Sequence, residues 1–527
     1  SFTTPVTDNC IHTSNGSKTI TVIFTGCNPS QGNYVDISGA ATVGGIPASD
    51  LNTTHEIATA INSDAFTIVV NTAASSSATG GGTAINVSFE IDTGYAIATY
   101  GYGWGTGTWG TVGWGLSSPT PVLLPQQDWW FDQFSNDLVM NIRNGPIYYW
   151  QRGTVTDPSL ALNSRATLLS ATTIDSVAPD SVPNKAMQIL VSQNDKHLLA
   201  FGCQPYAGGP TDFDPLLIRW ATQDQPNVWA PLQTNSAGFL RVARGSRIIR
   251  AIPTRQEILV ITEATLNSLQ FTGTSDVFSL QEVGDNLSLA GPRAVTVVNN
   301  MTFWMGQDKF YIYTGRVETL PCTLRDHVFN NINWNQSDQI ICGTNEGWNE
   351  VWWIYPTANS NYNDAYVIYN HLERIWYYGN IERTAWLDSP LREYPQASNG
   401  VLSTEISYLY NHEYGANDDG APMTAFIQSS DFDLQDGEEF MLMRRMIPDI
   451  DFGSSTATTP EAYFVIRPRN FPGGSFYNNP SNTERVIEST VNQYTNQIFM
   501  RARARQLALK VYSTDLDVQW QLGSPRI

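Results

Sequence analysis

The sequence contains few charged residues and very few lysines. Only 15% of its 527 residues are charged, and five of its 29 basic residues are lysines, so its positive charge is mostly arginine. Against these stand 49 acidic residues, which give a formal net charge of −20. This balance excludes a conventional nucleic-acid binder with a basic surface. Because arginine favours fixed, bidentate contacts, the few cations are a weak indication of interfaces.

Long apolar runs and clustered cysteines are also missing. No apolar stretch approaches the roughly 18 residues that a membrane-spanning helix needs, so no membrane span is expected. The five cysteines are scattered, without a Cys-x-x-Cys pair or zinc-ligand spacing, so no metal site is predicted. Cys10 and Cys27 allow a local disulfide, although free buried thiols are the commoner outcome.

Catalytic motifs are absent as well. The pairs His55-Glu56 and His412-Glu413 lack the second histidine of a metalloprotease helix, and there is no Gly-x-Ser-x-Gly nucleophile turn. The segment 431–437 resembles a calcium loop but has Gln435 at position five, which favours a hairpin turn. We therefore expect no enzyme and assign no catalytic, metal-binding or cofactor-binding residue.

What the sequence does have is a repeated β pattern. From Trp129 to about Gly420, a unit of short apolar and aromatic strands separated by polar turns recurs roughly every 40 to 70 residues. Units with three or four short strands are typical of β-propeller blades, and the count is about six, with five and seven also allowed by the spacing. The fold class predicted is all-β, a β-propeller with a small N-terminal β domain and a C-terminal antiparallel β domain.

The expected domains follow from shifts in composition. A small sandwich-like β domain is predicted at 1–98, a Gly and aromatic connector at 99–125, the propeller at 126–420 and an antiparallel platform or assembly domain at 421–527. Helical patterns are scarce, and 183–188 and 323–331 are each expected to form a turn or two.

The connector contains a tract in which glycine alternates with aromatic residues, from Tyr100 to Gly115. Glycine weakens a strand here, while the aromatic rings can pack on a neighbouring domain or subunit. The alternative is a platform for sugar rings. In both interpretations the candidate side chains are Tyr102, Trp104, Trp109 and Trp114.

A second pattern is an alternation of arginine and alanine. The period of two in a strand places Arg501, Arg503 and Arg505 on one face, about 6.8 Å apart, and both alanines on the other. Three like charges in a row need neutralisation. Intrachain carboxylates, the acidic edge of a neighbouring subunit and phosphate groups all remain open, and we take the three arginines as a candidate subunit interface.

Three segments give the sequence a family resemblance. They are the Gly-aromatic tract with the following "DWWFDQFSNDLVMNIRNGPIYYW", the stretch "GPRAVTVVNNMTFWMGQDKFYIYTGRVETLPC" at 291–322, and the closing "RARARQLALKVYSTDLDVQWQLGSPRI". Over about 400 residues, from 100 to the end, the chain resembles the tail nozzle, or distal tail tube, proteins of short-tailed bacteriophages.

The resemblance implies a virion protein of the tail. It implies a homohexameric ring of propeller subunits, an adaptor ring and tail fibres or spikes as partners, and double-stranded DNA passing through the lumen. It also implies that Ser1 and Ile527 are not the natural ends. An acidic lumen would then repel the phosphate groups of DNA and let it slide without long-lived binding to the wall. A polysaccharide-binding or polysaccharide-hydrolysing propeller protein is the alternative function, and a bacterial scaffold protein is the third.

Overall fold

The computed structural model describes residues 2–5, 9–24, 27, 29, 33–62, 64–90, 97–103, 118–152, 166–209, 212–274, 276–399, 408–474, 476 and 485–527. The chain divides into two compact units, Ser1–Tyr410 and Asn411–Ile527. The sequence placed the end of the propeller at 420, ten residues after this division.

Helices are short in the described ranges. They are α1 Ala48–Leu51 and α2 Arg325–Phe329, with 3-10 turns at Leu169–Ala171, Trp334–Gln339 and Glu346–Trp348. None of them is long and apolar enough to cross a membrane. The turn expected at 323–331 is α2.

The N-terminal part of the first unit is a single antiparallel sheet of eight strands. These are β1 Phe2–Pro5, β2 Ile11–Thr13, β3 Thr19–Ile23, β4 Tyr34–Ser38, β5 Thr54–Asn62, β6 Ala65–Val69, β7 Ala78–Gly80 and β8 Asn86–Glu90. They are hydrogen-bonded in the order β1-β8-β4-β5-β6-β3-β2-β7. Alternate residues such as Ile20 and Val22 are buried in one apolar core. Cys10 and Cys27 lie in this core as free thiols, so the disulfide alternative is not realised.

A two-stranded sheet follows, and then the propeller. The two strands are β9 Thr99–Gly103 and β10 Ser118–Leu124, which pair antiparallel. Backbone groups of Ala98 exchange two hydrogen bonds, of 2.9 and 2.7 Å, with the side-chain amide of Gln336. The residues that enter β9 are therefore fixed against the turn before the fifth propeller sheet.

In the described ranges the propeller consists of six consecutive antiparallel sheets, each with strands hydrogen-bonded in chain order. Blade one is β11 Trp129–Phe134, β12 Asp137–Ile142, β13 Ile147–Trp150 and β14 Thr167–Leu168; blade two is β15 Ala186–Ser192, β16 His197–Cys203, β17 Asp214–Trp220 and β18 Gly238–Arg241; blade three is β19 Ile248–Pro253, β20 Ile258–Thr262, β21 Thr265–Phe271 and β22 Phe278–Asp285. Blade four is β23 Val295–Val298, β24 Met301–Met305, β25 Phe310–Tyr313 and β26 Val317–Leu320; blade five is β27 Ile341–Asn345, β28 Glu350–Tyr355, β29 Ala365–Asn370 and β30 Ile375–Asn380; blade six is β31 Arg383–Leu387, β32 Gln396–Asn399 and β33 Leu409–Asn411.

The blades pack through their first strands. β11 packs against β15, β15 against β19, β23 against β27 and β27 against β31, so these strands lie nearest the axis. Middle strands are covered on both faces, which explains why every residue of β16 and of β20 is buried. The predicted fold class, an all-β propeller with about six blades and flanking β domains, is confirmed.

One local prediction is wrong. Residues 183–188 do not form a helical turn, because β15 begins at Ala186 and pairs with β16. Six of the seven residues of β15 are buried between neighbouring sheets, and this tertiary environment outweighs the local preference.

The second unit is antiparallel and built from shorter strands than its alternating pattern suggests. Its strands are β34 Asn417–Asp418, β35 Ala421–Pro422, β36 Ala425–Gln428, β37 Phe432–Asp433, β38 Met441–Met443, β39 Ile450–Asp451, β40 Glu461–Arg469, β41 Ile487–Asn492, β42 Ala502–Ala504, β43 Gln506–Ser513 and β44 Gln521–Leu522. The largest sheet has the order β36-β43-β40-β41, with β37 also paired to β43. The pairs β34–β35, β38–β42 and β39–β44 form separate ladders.

Candidate functional site

The arginine-alanine alternation lies on β42 of the second unit. Ala502 and Ala504 are buried, Arg501 and Arg503 are exposed, and Arg505 is half-buried. β42 pairs antiparallel with β38, where Leu442 is opposite Arg503. The period of two thus separates an alanine face in the core from an arginine face toward solvent.

The outward side of this ladder combines arginine with exposed phenylalanine. The guanidinium carbon of Arg503 lies 4.8 Å from the ring centroid of Phe440, and that of Arg505 lies 5.1 Å from the same ring. Arg505 also lies 5.1 Å from the ring of Phe471. We call Arg501, Arg503, Arg505 and Phe440 the arginine face. Each exposed cation–π contact contributes about 0.5–1 kcal/mol.

Carboxylates of the same chain do not neutralise the arginine face within the described ranges. No ion pair involves Arg501, Arg503 or Arg505 there, and the Nε of Arg505 is buried without a hydrogen-bond acceptor. Two acidic residues of the preceding segment have other partners, since Asp431 pairs with Arg469 and Asp433 accepts from Gln506. Of the three neutralising partners considered, intrachain carboxylates are therefore not realised among these residues.

The other candidate residues stay predictions. Tyr102 lies in β9, but its side chain is outside the described part of the chain. Trp104, Trp109 and Trp114 fall within 104–117, which is likewise outside the described residues.

Sequence reasoning missed a polar cluster at the axis of the propeller. Arg293, which precedes β23, donates to the Oδ1 of Asp128, which precedes β11, with N–O distances of 2.6 and 3.0 Å. The guanidinium carbons of Arg293 and Arg250 lie 4.8 and 4.1 Å from the ring centroid of Trp130. These residues come from blades one, three and four. Arg250 falls in a regular arginine spacing at 241–250, and the other three residues fall in the segments that carry the family resemblance, but neither pattern predicts that they meet.

Neither cluster has the composition of a metal centre. No group of three or more His, Cys, Asp or Glu side chains in the described ranges is placed to hold a metal ion. A surface depression of about 510 Å³ lies at the turns after β19 and β23, lined by Pro253, Thr254, Arg255, Val297, Asn299 and Asn300. Its lining includes no carboxylate, histidine or thiol for general acid–base or nucleophilic chemistry.

Comparisons with known proteins give no match in sequence and only distant likenesses among solved structures. No protein-family profile and no curated protein matches the sequence. Among solved structures, the chain is similar to the N-terminal domain of Nup159, at 8% identity over 55% of this chain and 74% of that one, with a TM-score of 0.33. It is similar to Kluyvelomyces marxianus Hsv2 at 8% identity over 52% of this chain and 68% of that one, with a TM-score of 0.29. It is similar to the phage phi92 endosialidase at 12% identity over 95% of this chain and 70% of that one, with a TM-score of 0.19. At these scores none of the likenesses carries a functional argument.

Proposed function

We propose that this chain is a virion structural protein of a short-tailed bacteriophage, in which six copies form the tail nozzle ring. The ring continues the DNA exit channel and helps to retain and eject the genome. The observation that carries the proposal is the arginine face, because its charges have no carboxylate partner in the part of the chain that the structure describes and so suit a contact with another chain. The tail-nozzle resemblance of the sequence supports the same function.

A second copy of the chain is the partner that the charges favour. With a net charge of −20, each copy offers many carboxylates to the arginines of its neighbour. A guanidinium stacked on a phenylalanine ring keeps its N–H groups available, so Arg503 and Arg505 can still bind a carboxylate in bidentate fashion. Such contacts form a closed ring when the arginine face of each copy binds the acidic surface of the next copy.

The acidic composition also suits passage of DNA. A lumen lined by carboxylates repels phosphate, so that DNA moves through it without the tight binding that counterion release would produce. An adaptor ring above and tail fibres or spikes at the side are the further partners proposed. A lumen lined mainly by arginine would contradict this part of the proposal.

The test replaces Arg501, Arg503 and Arg505 with serine and measures the mass of the assembly under native conditions. The wild-type chain is expected to give hexamers and the triple variant mainly smaller species, because the subunit contact loses three charged donors. Wild-type assembly should also weaken as salt concentration rises. Hexamers of the variant that persist as in the wild type would remove the arginine face from the interface.

A matched control has the same loss of charge at a different place. Arg241, Arg244 and Arg316 are exposed arginines of the propeller that pair with carboxylates of their own chain. The triple serine variant at these positions should assemble as the wild type does. Incubation with host surface polysaccharide provides the contrasting result, since shortened or specifically retained glycan chains would favour the polysaccharide function.

A further inference from the structure

One arginine of the propeller differs from its neighbours in sequence. Arg241, Arg244, Arg247 and Arg250 recur every three residues. Arg241 pairs with Asp214 at 2.7 Å and Arg244 pairs with Glu282 at 2.7 Å, both near the surface. Arg250 instead lies at the axis, where its Nε and Nη1 are buried and contact no hydrogen-bond acceptor in the described ranges.

A β-bulge in β19 directs Arg250 to this position. The register with β20 shifts between Ile248 and Arg250. Bulges of this kind reorient a side chain and are frequent beside binding sites. The guanidinium carbon of Arg250 lies 4.1 Å from the ring centroid of Trp130. Stacking satisfies the flat face of the guanidinium, while its edge donors, which are costly to leave unpaired, remain without an acceptor.

The carboxylates near Arg250 bind other donors. Asp128 accepts from Arg293 through Oδ1, and Asp132 accepts from the backbone N–H of Val191 at 2.7 Å. Burial and the like charge of Arg293 lower the pKa of Arg250, whereas Asp128 and Asp132 raise it. Two guanidinium groups thus lie on one indole ring, while the nearby Asp128 already accepts from Arg293 and Asp132 from Val191.

Asp128 also has an unmet requirement. Its Oδ2 is buried and receives no hydrogen bond from the described residues. The cluster thus offers excess N–H donors from Arg250 together with one acceptor oxygen that needs a donor. A protonated oxyanion meets both requirements, because its oxygens accept and its O–H donates. Fully deprotonated sulfate meets only the first.

We propose that Arg250, Arg293, Trp130 and Asp128 form a binding site for the hydrogen phosphate ion at the propeller axis. Arg250 and Arg293 bind its oxygens, and the Oδ2 of Asp128 accepts its O–H. Solvent reaches part of the cluster, since the side chains of Arg293 and Asp128 are 38% and 16% exposed. The site does not depend on the proposed nozzle function, since it lies within a single chain.

The experiment measures thermal unfolding and calorimetric binding of the full chain in buffer that contains neither phosphate nor sulfate. Adding inorganic phosphate is expected to raise the unfolding temperature. Calorimetry should show binding of one phosphate ion per chain. Sulfate at equal ionic strength should bind at least about tenfold more weakly, because it cannot donate to Asp128. Equal effects of the two ions would overturn the proposal.

Variants connect the binding to the named residues. Arg250→Met is expected to be at least as stable as the wild type without phosphate, because it removes a buried unpaired charge, and to lose the phosphate response. Arg250→Lys keeps the charge but lacks the paired, planar N–H donors of a guanidinium, so it should bind phosphate at least about tenfold more weakly. Asp128→Asn should reduce the preference for phosphate over sulfate.

Arg255→Gln is the control, since Arg255 is exposed at the turn that follows β19 and is not part of the cluster. It should keep the full phosphate response. A phosphate response that is unchanged in both Arg250 variants would show that the ion binds elsewhere and would overturn the assignment.

Discussion

Three ion-paired arginines of the propeller differ in their partners from the arginine face of the C-terminal unit. In the propeller, Arg143, Arg241 and Arg293 each pair with a carboxylate of the same chain at 2.7 Å or less. In the C-terminal unit, Arg503 and Arg505 stack on Phe440 and have no carboxylate partner in the described ranges. The same residue type is neutralised within the chain at these propeller positions and remains without a carboxylate at the arginine face.

The difference separates internal stabilisation from recognition. A guanidinium bound to an internal carboxylate has used its directional donors, so it contributes to the fold but little to a second chain. A guanidinium over a phenylalanine ring is held in place by the ring, while its N–H groups are not used by an internal carboxylate. We therefore expect substitutions in the first group to alter stability and substitutions in the second to alter association.

The largest effect on stability is expected for Arg143→Met. Arg143 pairs with Asp338 at 2.7 Å, and the two side chains are 11% and 25% exposed. Removing the arginine leaves Asp338 largely buried and unpaired, at a cost of about 2–4 kcal/mol in the free energy of unfolding. Denaturant unfolding measures this cost.

The exposed pair of Arg241 and Asp214 provides the control for this prediction. Arg241→Gln should change the free energy of unfolding by about 1 kcal/mol at most, because the Arg241 side chain is 56% exposed and its charge is solvated. Equal costs for both substitutions would contradict the distinction between buried and exposed pairs in the propeller.

A smaller effect is expected for Phe440→Ala in the C-terminal unit. Phe440 is 47% exposed, so its loss removes two cation–π contacts, worth about 0.5–1 kcal/mol each, and little core packing. Assembly should weaken by more than stability does, because Arg503 and Arg505 are no longer held in place. Native mass measurement and denaturant unfolding of the same sample compare the two effects. A large loss of stability with intact assembly would reverse the comparison.

The smallest effect is confined to acid pH and to the propeller. Burial lowers the pKa of His197 from its ordinary value of 6.5, while Nδ1 donates to the carbonyl oxygen of Ala221 at 2.8 Å. A lowered folded-state pKa means that the unfolded chain binds the proton more readily. Stability is therefore lost as the pH falls through 6.5 toward that lowered pKa. His197→Asn, which keeps a donor, should make unfolding less sensitive to pH in this window. The smaller buried side chain also lowers stability, by the same amount at every pH. An unaltered pH dependence would contradict this.

Much of the fold could be predicted from the sequence, because blade strands carry strong local patterns. The strands expected at 349–355 and 365–369 are β28 Glu350–Tyr355 and β29 Ala365–Asn370. The helical turn predicted at 183–188 is wrong, because packing between neighbouring sheets determines the conformation of this segment. Strands in the C-terminal unit are also shorter than their alternation indicates, since the alternating stretch at 439–447 contains only the three residues of β38.

The candidate site was predictable only in part. A period of two was enough to place Arg501, Arg503 and Arg505 on one face. The pairing of Phe440 with these arginines depends on the β38–β42 ladder, which joins segments about 60 residues apart and leaves no local signal. The axial cluster is even harder to predict from the sequence, since Asp128 and Arg293 are 165 positions apart and meet only when the blades are arranged around the axis.

Electron imaging of the purified chain tests the central claim most directly. The nozzle proposal predicts particles with six-fold symmetry and a central hole, and the loss of these rings when Arg501, Arg503 and Arg505 are replaced by serine. Separate propeller particles with no ring, under conditions where the chain is folded and at low salt, would contradict the account.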